Sequence, residues 1–104
     1  MNYPVLLYFA TGDGFNATGE ALVVPLEEVE AIEPTAATTC EIYLKGGNFR
    51  SVQLTFTSGK FKEVIQSIAA NINQAAKGSG FVVVCDSDNS KFVHRFITDC
   101  AINR

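Results

Sequence analysis

The sequence predicts an α+β domain: a mostly antiparallel sheet of about six or seven strands, with one long amphipathic helix over about residues 59–77 packed on one face. Three observations carry this. Cys40, Ile42 and Leu44, then Val52, Leu54 and Phe56, place an apolar residue at every second position, which lines one face of a hairpin. Phe61, Val64, Ile65, Ile68, Ile72 and Ala75 recur at three- and four-residue steps, which makes one stripe along a helix. Residues 3–10 and 81–85 are continuous apolar runs rich in strand formers, the pattern of strands covered on both faces.

Taken in order, the strand of residues 3–10 is followed by a glycine-rich loop over residues 11–19. Residues 21–26 form a second strand, with Pro25 at an edge or a strand end because it cannot donate to a ladder. Residues 27–32 fit either a helical turn or a third strand, and Pro34-Thr35-Ala36-Ala37 breaks the chain before the hairpin. Gly46-Gly47-Asn48 supplies residues that tolerate positive φ, as a tight reversal requires. Ser58 is the natural helix N-cap, and Gly78 closes the other end with Lys77 favouring the dipole. Asp86 to Ser90 is a polar reversal, and residues 92–102 return as the last strand. Both faces of that strand mix apolar and polar residues, as half-cover by a neighbouring subunit would require.

At 104 residues the chain suits one domain, 1–104, around a single core. Charged residues make up 18%, lean against the usual quarter, which points to a protected face. The net charge is −3 and the eight Lys and Arg form no run, so nucleic acid is not an expected partner. No segment reaches the roughly 18 apolar residues that span a bilayer, and Met1-Asn2-Tyr3-Pro4 lacks a basic secretory start. A soluble protein with no membrane partner, cytoplasmic or virion-associated, is expected. Cys40, Cys85 and Cys100 sit in apolar strand patterns, where cysteine serves as a small hydrophobe in a reducing compartment.

The candidate chemistry is sparse. His94 is the only histidine, so a nucleophilic arrangement would need it beside Cys85 or Cys100 and Asp99. Its place between Phe92 and Phe96 reads more simply as a strand residue. Three cysteines and His94 match zinc donors in kind, but no paired short-range ligands such as CxxC occur. Asp86 to Ser90 resembles the opening of a calcium loop, yet the places for its glycine and its last acidic ligand hold Lys91 and Ile97. Gly12-Asp13-Gly14 lacks the Gly-Lys-Ser/Thr of a phosphate cradle. No catalytic residue, metal or cofactor is therefore assigned.

The remaining signal is apolar surface in excess of what one helix covers. Subunit association is the usual solution. The expected partner is thus the chain itself, with an interface drawn from Tyr3, Val5, Leu7, Phe9, Val93 and Ile97. The alternative is that residues 11–37 fold back over that surface.

Leu22-Val23-Val24-Pro25-Leu26-Glu27-Glu28-Val29-Glu30-Ala31-Ile32-Glu33, followed by residues 39–44, 52–55 and the helix from Phe61, stand in an order that resembles small proteins of marine bacteriophages, especially those of cyanobacteria. The resemblance covers about positions 20–77. It implies a virion or assembly role and supplies no catalytic residues, and the tail from Asp86 to Arg104 departs from the pattern. The expectation is a non-enzymatic, self-associating structural or interaction protein, with other proteins as further partners. The competing reading is a small-ligand binding module or cofactorless enzyme, with a pocket between sheet and helix and His94 and Arg95 at its rim.

Overall fold

A computed structural model of the chain describes residues 5–11, 21–45, 51–87 and 89–103. Within them the strands are β1 (Leu6–Ala10), β2 (Ala21–Pro25), β3 (Val29–Ala36), β4 (Thr39–Leu44), β5 (Ser51–Phe56), β6 (Phe81–Asp86), β7 (Lys91–Phe92) and β8 (Ile97–Asn103). One helix, α1 (Phe61–Ala76), joins β5 to β6.

The α+β class is as expected, but the strands form two four-stranded sheets instead of one sheet of six or seven. The first sheet has the order β2-β1-β6-β7 and the second β3-β4-β5-β8. Neighbours are antiparallel except β1 and β6, which run parallel. The helix returns the chain from the second sheet to the first, and two short segments make the opposite crossing. Leu26–Glu28 forms a single 3₁₀ turn between β2 and β3, so residues 27–32 hold both the turn and the strand start that their pattern allowed. Residues 93–96 bend between β7 and β8.

That second crossing corrects the long final strand. Residues 92–102 are mixed on both faces because they belong to two strands in different sheets, and no subunit boundary is needed to explain them. Pro34 is likewise inside β3, opposite Cys40, and breaks nothing. It sits on an edge strand, where a missing N–H removes no necessary ladder bond.

The hairpin of β4 and β5 pairs as its alternation requires, Cys40 with Leu54 and Ile42 with Val52. Its Gly46-Gly47-Asn48 turn lies outside the described residues, as do Tyr3 and the Gly12-Asp13-Gly14 loop. The helix stripe is buried through Val64, Ile68 and Ala75, with Phe61, Ile65 and Ile72 packed at its borders. Its main neighbour is β6 of the first sheet and not the hairpin, which it meets through the Phe56 and Phe61 rings, 6.1 Å apart.

Ser58 does not cap the helix. Lys60 occupies the N-cap position without a side-chain bond, because Gly59 at φ +77 turns the chain first and the Lys60 N–H donates to Thr57 O. At the other end the Gly78 N–H reaches Ala75 O, as the expected stop requires. The left-handed residue is Gly80, at φ +74, whose N–H also donates to Ala75 O.

The core gathers Leu7, Phe9, Val82 and Val84 from the first sheet, Ile42, Leu54 and Ile97 from the second, and Val64 and Ile68 from the helix. The two sheets touch where the Cys100 thiol donates to Ala10 O at 3.4 Å.

Candidate functional site: the outer face of the first sheet

The two sheets differ in what they show on the side away from the core. In the second sheet that side carries Glu33, Glu41, Tyr43, Gln53, Thr55 and Asp99, with the Tyr43 hydroxyl donating to Glu33 at 3.1 Å. It is an ordinary solvated face, although Glu41 Oε2 is screened from solvent without a hydrogen-bond partner.

In the first sheet the same side is apolar. Cross-strand pairing sets Leu6 beside Pro25 and Phe81, and Tyr8 beside Val23 and Val83, so these six residues share one surface. Leu6 is 36% exposed, Val23 47% and Phe81 44%, and these are the large apolar side chains open to solvent among the described residues. The Tyr8 and Phe81 rings meet at 5.7 Å between centroids. Six neighbouring apolar residues across three strands, with no charge among them, is not how an antiparallel or mixed sheet usually faces water.

This placement corrects the interface residues drawn from the sequence. Val5, Leu7, Phe9 and Ile97 are buried in the core of a single chain, at 7%, 2%, 0% and 1% exposure, and cannot meet a partner while the chain is folded. Val93 is half-buried beside the helix. The run of residues 3–10 is apolar at every position, so alternation gives no sign of which parity faces out. Side-chain direction flips with each residue, and Leu6 and Tyr8 are the outward set.

A cleft of about 470 Å³ does lie between sheet and helix, lined by Asn71, Gln74, Ala75 and Ser79 on one wall and Phe81, Val82, Val83, Phe92 and Val93 on the other. His94 and Arg95 are not on its rim. The Phe96 N–H donates to His94 Nδ1 at 3.1 Å, and the imidazole lies 4.8 Å from the Phe96 ring. Arg95 and Lys60 both place their cationic groups over that same ring, at 5.1 and 5.3 Å. The crossing between β7 and β8 uses these side chains to fix its own bend.

All three cysteines are free and buried, not in the partly exposed setting of a reactive thiol. Cys40 is buried, and desolvation pushes its thiol up to about 11 from 9.0. Cys85 is raised further, first by its hydrogen bond with Cys100 and then by burial. Among the described residues no three or more His, Cys, Asp or Glu side chains converge as a metal site would require. Asp86 instead accepts from the Asn89 N–H and from Asn89 Nδ2, at 3.3 and 3.0 Å, which ties the β6–β7 reversal. Among the described residues no helix is long and apolar enough to cross a membrane.

Comparison with known proteins adds no assignment: no family model matches the chain, and no curated protein or solved structure is significantly similar to it.

Proposed function

We propose that the protein is a non-enzymatic interaction or structural protein that associates with itself, and that the outer face of the first sheet is where copies meet. The observation that carries this is the contiguous uncharged surface of Leu6, Tyr8, Val23, Pro25, Phe81 and Val83. Two such faces stack as sheets do, about 10 Å apart, each burying the apolar side chains of the other. A closed twofold pair is the simplest arrangement, because it sets the same patch against itself. Each square ångström of apolar surface removed from water contributes about 25 cal/mol. The virion or assembly setting rests on the phage resemblance alone.

Leu6 and Val23 test the reading without touching the core. The Leu6→Lys and Val23→Lys variants place a charge on the face that copies would share, which costs several kcal/mol if it is buried without a partner. Sedimentation velocity is expected to show both variants as folded monomers at concentrations where the parent chain is associated. Variants that associate as strongly as the parent refute this surface as the interface.

A further inference from the structure

The cleft beside β6 contains an open sheet edge, and we infer that it receives an extended, uncharged peptide segment of a partner protein as an added strand. β7 pairs with β6 only at Cys85 and Asp86, and the last bond along that line runs from the Val93 N–H to Val84 O. The chain then turns away toward the second sheet, so residues 81–83 have no strand on that side among the described residues.

The register shows which main-chain groups are left over. Leu6 N–H donates to Gly80 O at 2.7 Å, and Leu6 lies opposite Phe81. A parallel ladder in that phase uses the Gly80 carbonyl, both Val82 groups and the Val84 N–H toward β1, the register shift at Tyr8 and Phe9 leaving Val84 O for Val93, and it turns the N–H and C=O of Phe81 and Val83 the other way. Phe81 N–H has only the Ser79 hydroxyl at 3.4 Å. The Phe81 carbonyl and both Val83 groups face the cleft. They recur along the strand at about 6.7 Å, the two-residue spacing that another extended chain matches.

The opposite wall suits such a guest. Asn71 spends one Nδ2 hydrogen on Ser67 O at 2.8 Å, which leaves the other hydrogen as a donor and Oδ1 as an acceptor, and Gln74 and Ser79 add neutral polar groups. Among the described residues no charged side chain lines the cleft, so an uncharged segment is the complement. Two other sheet edges are guarded. β2 ends in Pro25 and β3 carries Glu30, Glu33 and Pro34, the usual devices against stray pairing, whereas residues 81–83 carry none. A second copy is not the fitting guest. Antiparallel pairing of two β6 strands about Val82 would bring the partner's own β7 to where Gly78 and Ser79 lie. This edge adjoins the outer face, with Phe81 and Val83 in both, but it pairs through main-chain groups and the outer face through side chains, so its failure would leave self-association standing.

The test is selection of a displayed random peptide library on the immobilised protein, followed by titration of the enriched peptides into isotope-labelled protein. The expected result is enrichment of uncharged, strand-forming peptides that shift the Phe81 and Val83 amides and protect Val83 N–H from exchange. Gln74→Trp, which fills the cleft from the helix side, and Val83→Pro, which removes the donor from the open edge and from no ladder bond, are each expected to weaken binding at least about tenfold. Gln74→Trp carries this comparison if the proline variant does not fold. Val23→Lys should bind as the parent does. The inference is overturned if nothing is enriched, if binding protects other amides, or if Gln74→Trp binds equally well. It is also overturned in favour of self-pairing if Gln74→Trp abolishes association of the protein with itself.

Discussion

Cys40, Cys85 and Cys100 behave as core side chains, and their chemistry follows from that. All three are buried. With all three buried, the Cys40 thiol raised by desolvation and the Cys85 thiol raised by its bond with Cys100 and by burial, the native protein should react with a thiol reagent at pH 8 only as fast as it unfolds. Denaturant should release all three at once, and a rapid native phase would contradict the burial. Burial also sets a pH dependence. The folded chain keeps the Cys40 proton to about pH 11, while an unfolded thiol loses it near 9.0. Below 9.0 the stabilising difference is complete, and it disappears as pH rises through about 11. Urea titrations should therefore show Cys40→Val losing less stability than the parent over that window. At the same scale, Gly80 holds φ +74, which a side chain resists, so Gly80→Ala should cost about 1–2 kcal/mol. Gly78→Ala should cost little, since a Cβ there meets only Gln74 O at an ordinary 3.5 Å.

The helix is the element on which the core depends most. Val64 and Ile68 are 0% and 4% exposed, so Ile68→Asp buries an unpaired carboxylate and should destabilise by more than about 4 kcal/mol, most of what holds a domain at the low end of ordinary stability folded. A cooperative melt within a few degrees of the parent would contradict the packing. This stripe was legible in the sequence because its period is 3.6 and its members are large. The hairpin was legible for the matching reason, a clean period of 2 in residues 40–44 and 52–56. Other features left no such mark. A continuous apolar run such as residues 3–10 has no parity, so the outward set of Leu6 and Tyr8 could not be separated from Leu7 and Phe9. The bend at residues 93–96 is built from Phe96 with His94, Arg95 and Lys60, and a ring held by residues far apart in sequence has no local signature. The helix N-cap was misplaced because Gly59 turns the chain after Ser58, a backbone effect that outweighs the hydroxyl's preference.

Over the whole molecule, the strand order decides which surface remains to be covered. Alternation marks where strands are but not which strands are neighbours, and the split into two sheets follows from tertiary pairing. One consequence is the asymmetry between the outer faces: Glu33, Glu41, Gln53 and Asp99 on the second sheet, Leu6, Val23 and Phe81 on the first. Among the described residues the large apolar side chains open to solvent therefore lie on one side of one sheet. They are residues other than those drawn from the sequence, because a continuous apolar run does not say which parity faces out. The measurement that bears most directly on this account is the mass of the protein in solution, by light scattering behind size-exclusion chromatography across a hundredfold range of concentration. The account predicts a dimer or larger closed assembly of the parent chain that Val23→Lys reduces to the 104-residue monomer. A parent chain that stays monomeric over the whole range would contradict it.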